Sequence, residues 1–200
     1  KGVNWIPDDP FPHRVSKEQY EMRIRDLYSV EVNAIRVWGG GIYESDHFYD
    51  ICDELGIIIW QDFLFACAAY PETPAMFAEV KEEAHQAITR LSTHASLVMW
   101  CGGNECIEGF QHWGWKDALA GKPWGLNFYL DTLPASLAAF DGSRPYIPGS
   151  PFSTVKEDVK DFSSGTNHIW DVWNDTGYQR YEEYSPSFSA EFGYNGPGSW

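Results

Sequence analysis

The chain has 200 residues, 44% of them hydrophobic, so it is long enough to bury one sizeable core and is not a disordered tail. Its 14 Lys and Arg residues against 29 Asp and Glu give a net charge of −15, which argues against binding to a phosphate backbone. No apolar run approaches the roughly 18 residues that a membrane helix needs, and the N-terminus lacks the layout of a signal peptide. We therefore expect neither a nucleic-acid partner nor a membrane partner.

Strand-like and helix-like segments alternate along the first half of the chain. Strands are predicted at residues 2–7, 33–38, 57–60 and 96–100. Between them, apolar residues at helical spacing predict three helices: one capped by Ser16, one running from a Ser45 cap to Gly56, and one over 77–91. Residues 57–60 are apolar at every position, which predicts a strand covered on both faces.

The second half continues the alternation with shorter segments. After a Trp- and Gly-rich loop at 111–125, a helix is predicted over 127–140, followed by strands at 145–148, 167–170 and 187–190. Repeated strand–helix units predict an α/β fold with a parallel sheet. Seven strands without a dinucleotide-binding Gly fingerprint favour a (β/α)8 TIM barrel, truncated after the seventh strand. No linker divides the sequence, so residues 1–200 are expected to be one catalytic domain, an excerpt whose eighth strand follows Trp200.

Neither a cofactor nor a metal is predicted. The four Cys residues include no C-x-x-C pair and the six His residues no H-x-x-x-H pair, which argues against a zinc site. The three glycines at 39–41 lack the Lys-Ser/Thr of a phosphate loop. The state of the cysteines and the localisation of the protein are left open by the sequence.

Aromatic and acidic residues point to a sugar site. Ten Trp residues occur, many beside Gly, Asn, Asp or Pro, and flat rings next to hydrogen-bonding groups suit a pyranose, although any single Trp can equally fill a core. Glu105 ends the predicted fourth strand and Glu191 the seventh. Strand ends converge on one rim of such a barrel, and a pair of carboxylates is the minimum machinery for cleaving a glycosidic bond.

Several runs of residues resemble the β-mannosidase branch of glycoside hydrolase family two. They are Arg-Val-Trp-Gly-Gly-Gly at 36–41, Trp-Gln-Asp-Phe at 60–63, Gly-Gly-Asn-Glu at 102–105 and Ser-Ala-Glu-Phe-Gly-Tyr at 189–194, with further similarity at 2–7 and 48–56. The Asn-Glu pair marks a wide clan of barrel glycosidases, whereas the first two runs are much narrower. The resemblance implies a retaining exo-β-mannosidase acting on a β-mannoside oligosaccharide or glycoconjugate. It also implies flanking β-sandwich domains, which this sequence lacks.

The same resemblance implies roles for individual residues. Glu105 is expected to be the general acid/base and Glu191 the nucleophile, with Arg36 close to Glu191 to keep it ionised. Asn104 is expected to donate to the sugar 2-hydroxyl. Walls and hydroxyl contacts of the mannose pocket are expected from Trp38, Asp62, Trp113, His168 and Trp170.

Other interpretations of these residues stay open at this point. The two glutamates can exchange roles, Arg36 can be a structural ion pair inside the barrel, and Asp62 can be a helix cap or loop contact. Trp113 can simply pack its loop. For the whole chain, the alternatives are another exo-glycosidase of the same family (a β-galactosidase, β-glucuronidase or exo-glucosaminidase) or a sugar-binding module without activity.

Overall fold

Two parallel β-sheets form the frame of the molecule. The computed structural model describes residues 1–193. Within them the strands are β1 Gly2–Trp5, β2 Ala34–Val37, β3 Ile58–Asp62, β4 Leu97–Cys101, β5 Tyr146–Ile147, β6 Asn167–Ile169 and β7 Ser189–Phe192. The first five pair in sequence order, each parallel to the next, and β6 pairs in parallel with β7. The predicted α/β fold with a parallel sheet is confirmed.

The helices lie between the strands, as predicted for the first half of the chain. They are α1 Lys17–Ser29, α2 Asp46–Leu55, α3 Pro74–Leu91, α4 Cys106–His112, α5 Trp115–Leu119, α6 Leu133–Phe140 and α7 Asp171–Asn174. Ser16 caps α1 by accepting a hydrogen bond from the Gln19 backbone N–H. Gly56 ends α2 with a φ of +70°, the left-handed conformation that only glycine adopts at no steric cost.

The five-stranded sheet has one covered face and one open face. Odd-numbered side chains such as Ile35, Val37 and Ile59 pack into the main core together with apolar residues of the helices. Even-numbered side chains of the same strands, including Arg36 and Ile58, line a cleft instead. The prediction that residues 57–60 are covered on both faces is wrong, because Ile58 is 47% exposed in that cleft.

The second half of the chain departs further from the prediction. The helix expected over 127–140 divides into a π-helix, Phe128–Thr132, and α6. Pro134 lies in the first turn of α6, and because it has no N–H it cannot continue a regular hydrogen-bond ladder. β5 has only two residues, and the described chain between β5 and β6 contains no α-helix.

The two sheets meet across the cleft through a few polar contacts. Asn4 on β1 donates its side-chain N–H to the Ala190 carbonyl on β7, at 3.0 Å. Within the larger sheet, Asn104 forms isolated parallel bridges to Ala66 and to Ser150, which extend the pairing beyond the ends of β3, β4 and β5. These contacts bring the carboxyl ends of the strands together at one edge.

β7 begins two residues later than predicted, so Glu191 lies inside the strand rather than after it. The predicted motif continues to Tyr194, which lies outside the described residues. Among the described helices, none combines the length and apolar character needed to cross a lipid bilayer.

Candidate active site

Glu105 directly follows Asn104 and is the N-cap residue of α4. Its φ of +58° is left-handed, a conformation that costs free energy for a residue with a side chain and that recurs at functional sites. Its backbone N–H donates to the Ser150 carbonyl at 2.7 Å. This anchoring turns the side chain towards the cleft, where it remains 11% exposed.

Glu191 reaches the same region from β7. Its carboxylate accepts hydrogen bonds from Arg36 Nη1 at 2.5 Å and from Trp170 Nε1 at 3.1 Å. The side chain is only 9% exposed, and it lines the cleft. Buried anions need such partners, and these two donors together leave Glu191 held in one orientation.

His168 on β6 lies between the two carboxylates. Its Nδ1 is 2.8 Å from Glu105 Oε1 and 3.4 Å from Glu191 Oε2. Glu105 and Glu191 are 86 positions apart in the sequence, yet one imidazole nitrogen contacts both. The separation of those two oxygens cannot exceed the sum of the two distances. The two carboxylates therefore lie close enough to act on the same sugar ring.

Burial lowers the pKa of His168 to about 3, opposed by the nearby Glu191 charge. The ring is therefore neutral at neutral pH, with one donor and one acceptor nitrogen. Since Nδ1 faces two carboxylates, the favoured tautomer carries its proton there, and Nε2 accepts from the Ser150 hydroxyl at 2.8 Å.

Arg36 connects the two sheets electrostatically. Its guanidinium binds Asp62 through Nη2 at 2.8 Å and Nε at 3.3 Å, and it also donates to Asn104 Oδ1 at 2.8 Å. Burial works against the charge of Arg36, but Asp62 and Glu191 raise its pKa above the ordinary value. A permanent cation thus lies against the Glu191 carboxylate, as the sequence analysis expects.

The cleft beside these groups has a volume of about 1530 Å³. Trp38, Asn104 and Trp170 line it together with both glutamates. The Trp38 ring lies over Gly40, where any side-chain carbon would collide with it. Indole faces beside carboxylates and an amide can accommodate a sugar ring, with its C–H face on the aromatic surface.

Asp62, predicted to contact a substrate hydroxyl, is not among the residues that line the cleft. Asp62 is fully buried, and besides Arg36 it accepts from the Gly39 backbone N–H and the Trp60 indole N–H. Both Asp62 oxygens accept hydrogen bonds from groups inside the protein, and Asp62 contacts the Glu191 site through its ion pair with Arg36.

Two other predicted contacts also lie away from the cleft. The His168 side chain is 1% exposed, and both of its ring nitrogens are hydrogen-bonded within the protein. Trp113 follows α4, whose seven residues carry the chain about 10 Å from Glu105. Trp113 packs edge-on against Trp115 and is 43% exposed.

The structure adds Cys67 to the site, which sequence reasoning missed. The Cys67 thiol donates to Glu105 Oε2 at 3.2 Å and accepts from Asn104 Nδ2 at 3.4 Å. Burial and the Glu105 charge raise its pKa to about 12, so it stays a protonated donor. No spacing in the sequence indicates this contact, because Cys67 lies in the loop after β3. All four cysteines are free.

Two clusters of described residues bring potential ligand atoms within 4.8 Å of one another. In the first, Asp53 accepts from the Ser96 backbone N–H and contacts His94, beside Asp50. In the second, Glu105 and His168 contact each other and Glu108 binds Lys160. Internal hydrogen bonds and ion pairs account for both clusters, and we assign neither to a metal.

No family model matches the chain. A curated Beta-mannosidase from Capra hircus is 36% identical over 214 residues, which is 100% of this chain and 24% of that protein. Beta-mannosidase B from Thermothelomyces thermophilus is 37% identical over 203 residues, covering 96% of this chain and 24% of that protein. The chain is similar to a part of these β-mannosidases.

A solved structure agrees with this relationship. The Beta-D-Mannosidase from Dictyoglomus thermophilum superposes with a TM-score of 0.82 at 43% identity, over 87% of this chain and 21% of that one. A β-glucuronidase from Parabacteroides merdae has a TM-score of 0.64 at 18% identity, which shows a shared fold alone. The predicted resemblance is thereby confirmed, and the chain spans about a quarter of the length of its curated β-mannosidase relatives.

Proposed function

We propose that this chain is the central part of the catalytic (β/α)8 barrel of a retaining exo-β-mannosidase, with Glu105 as general acid/base and Glu191 as nucleophile. The observation that carries the proposal is the meeting of the two carboxylates at His168 Nδ1, at 2.8 Å and 3.4 Å, on the wall of one cleft. The relatives named Beta-mannosidase support the choice of reaction and sugar.

In the first step, Glu191 attacks the anomeric carbon of a terminal β-mannose. The bond from that carbon to the leaving oxygen breaks, and Glu105 gives its proton to that oxygen. Arg36 and the Trp170 indole hold Glu191 in place for attack. Asn104 lines the cleft beside Glu105; its amide accepts from Arg36 and donates to Cys67, and its second N–H is the proposed donor to the sugar 2-hydroxyl.

In the second step, water replaces Glu191 at the anomeric carbon. Glu105, now a carboxylate, takes a proton from the water, the new carbon–oxygen bond forms, and Glu191 leaves as a carboxylate. Two inversions leave the product with the β configuration. The contact of both carboxylates with one imidazole nitrogen agrees with this route, in which both act on the same anomeric carbon.

The barrel and its surroundings are part of the same proposal. The parallel five-stranded and two-stranded sheets, with Glu105 and Glu191 near the carboxyl ends of their strands, suit a (β/α)8 barrel whose remaining parts come from flanking regions of a longer protein. A terminal β-mannose of an oligosaccharide or glycoconjugate is the proposed substrate.

The first test measures hydrolysis and its stereochemistry in the full-length protein. We expect turnover of 4-methylumbelliferyl β-mannoside, with the β-anomer of mannose appearing first in proton NMR spectra. Matched β-galactoside, β-glucuronide and β-glucosaminide substrates separate the other exo-glycosidases of the family. Turnover of one of those substrates but not of the mannoside would overturn the choice of sugar, and α-mannose as first product would overturn retention.

The second test assigns the two glutamates. Glu191→Gly should lower kcat by about 10⁴-fold or more, because no covalent intermediate can form. Glu105→Ala should keep a first step with 2,4-dinitrophenyl β-mannoside, whose leaving group needs no proton, and azide should restore turnover and yield β-mannosyl azide. Normal turnover by either variant would remove that residue from the pair. Binding of mannose by the wild-type protein without any hydrolysis would instead favour a sugar-binding module.

A further inference from the structure

We propose that Cys67 is a specificity-determining residue on the leaving-group side of the site, where its side chain contacts the group attached to the oxygen that leaves. The inference rests on the proposed function, since it concerns the glycosidic bond that Glu105 and Glu191 cleave. It concerns the other half of the substrate, which is the sugar or aryl group joined to the mannose.

Cys67 differs from the other cysteines in its exposure. It is exposed and lines the cleft, whereas Cys52, Cys101 and Cys106 are buried. The Cys67 side chain therefore borders space that a ligand can enter. A thiol there offers a small, weakly polar surface.

Two backbone features hold Cys67 in this place. Its N–H donates to the Asn104 carbonyl at 2.9 Å, next to the bridge between Ala66 and Asn104. Its φ of +47° is left-handed, a conformation that costs free energy for a residue with a side chain and that recurs at functional sites. The backbone at Cys67 is thus tied to the segment that carries Glu105.

The two oxygens of Glu105 face different surroundings. Oε1 is 2.8 Å from His168 Nδ1, the nitrogen that also lies 3.4 Å from Glu191. The His168 side chain is 1% exposed, so a leaving group has no access from that side. Oε2 accepts from the Cys67 thiol at 3.2 Å. The Glu105 oxygen that faces the open cleft is therefore the one beside Cys67.

The direction of the proposed displacement leads to the same side. Glu191 attacks the anomeric carbon from one face, and the leaving oxygen departs from the opposite face. Proton transfer from Glu105 requires that oxygen to come within about 3 Å of the donating carboxyl oxygen. Because Oε2 is 3.2 Å from the Cys67 sulfur, the leaving oxygen lies no more than about 6 Å from that sulfur. The atoms joined to the leaving oxygen are then close enough to contact the Cys67 side chain.

The test compares two leaving groups of different size in the full-length protein, and neither needs a proton from Glu105. 2,4-Dinitrophenyl β-mannoside loses a bulky aryl group, whereas β-mannosyl fluoride loses a single atom. Cys67→Leu should lower the ratio of kcat/KM for the aryl substrate to kcat/KM for the fluoride by about 10-fold or more, because the larger side chain collides with the aryl group. Cys67→Met, which is longer but unbranched, should lower the same ratio to a smaller extent.

Three further variants separate this contact from the orientation of Glu105. Cys67→Ser keeps a small side chain with a donor and should retain the wild-type ratio. Cys67→Ala removes the thiol without adding bulk, so it should change kcat/KM for both substrates by the same factor. Ala69→Leu adds bulk at an exposed position of the same loop that does not line the cleft, and it should leave the ratio unchanged.

The outcomes separate this inference from the proposed function. A wild-type ratio in both Cys67→Leu and Cys67→Met overturns the inference, while hydrolysis by the wild-type protein still supports the function. A fall of the ratio in Cys67→Ala as large as in Cys67→Leu also overturns it, because bulk is then not the cause. An equal fall in Ala69→Leu overturns it as well, because the loop and not this side chain then sets the preference. A wild-type protein that cleaves neither substrate overturns the function, and this inference with it.

Discussion

Asp62 acts on the proposed nucleophile through Arg36, because its two oxygens hold the guanidinium that in turn holds Glu191. Asp62→Asn should therefore lower kcat by about 10- to 100-fold with KM within about twofold. It should also destabilise the protein by about 3 kcal/mol, because the buried Arg36 guanidinium loses one of its two anionic partners. Kinetics with an aryl β-mannoside and urea denaturation measure both effects.

A matched control exists for this substitution. Asp46 pairs with Arg90 at 2.6 Å but is 62% exposed, so Asp46→Asn should change stability by less than about 1 kcal/mol. If Asp62→Asn raised KM strongly and left kcat unchanged, the residue would be a substrate contact after all.

His168 makes stability depend on pH. Its pKa is about 3 in the folded protein and about 6.5 when unfolded, so between these values the unfolded chain binds one more proton. The free energy of unfolding should consequently fall as pH drops below 6.5, by up to about 1.4 kcal/mol per pH unit from this residue. In urea denaturation at pH 7, 6 and 5, the free energy of unfolding of His168→Gln should decrease less with falling pH than that of the wild type. The exposed His13→Gln should behave like wild type, and parallel slopes in all three proteins would contradict the argument.

At this scale, the sequence predicts which residues reach the site better than it predicts what they touch. Glu105, Glu191 and Arg36 lie on or next to strands whose apolar runs are visible, so their placement follows from the topology. Asp62 shares that signal, yet its oxygens face internal donors, and a strand end does not reveal which neighbours lie behind it. The position of the Cys67 thiol depends on the loop conformation at this residue, whose φ of +47° no local sequence pattern indicates.

At the scale of elements, glycines control how closely β4 and β5 approach. A side-chain carbon at Gly102 would overlap the Pro148 carbonyl, which belongs to the backbone and cannot move aside cheaply. Gly102→Ala should therefore separate the strands that carry Asn104 and Ser150, and destabilise the protein by about 1–3 kcal/mol. Thermal unfolding and kcat measure the two consequences.

Gly142 offers the comparison for that variant. A side-chain carbon there would meet only the Ala138 carbonyl at 3.6 Å, an ordinary contact, so Gly142→Ala should leave stability within about 0.5 kcal/mol or raise it slightly. Equal melting temperatures for the two variants would show that the β4–β5 contact is not limiting.

The elements of the first half could be predicted because long apolar stripes and caps such as Ser16 and Gly56 determine them locally. The second half depends on long-range packing: β5 and β6 are too short to leave a periodic signal, and β7 is displaced by two residues. The break at Thr132–Leu133 could have been inferred from Pro134, since a proline inside a helical pattern disturbs the hydrogen bonds behind it.

At the scale of the whole molecule, one face of the five-stranded sheet is open. The hydrophobic content of 44% does not indicate this open face. Ile58, Val98 and Phe188 line the cleft and are 47%, 36% and 55% exposed. Contiguous exposed apolar surface of this kind promotes association in water. Because the relatives are about four times longer, we expect other parts of the full-length protein to limit this exposure.

A polypeptide of these 200 residues, expressed alone, should therefore self-associate, bind a hydrophobic dye and hydrolyse aryl β-mannosides far more slowly than the full-length protein. Replacing Ile58 and Val98 by Thr should reduce dye binding and association, because it removes apolar surface from the cleft wall. Val30→Thr with Val155→Thr, a pair that is more exposed but lies outside the cleft, should have little effect. Sedimentation velocity and dye fluorescence compare the three proteins. A monomeric wild-type polypeptide with near-normal turnover would mean that the cleft face needs no cover, and that the described strands suffice for the chemistry.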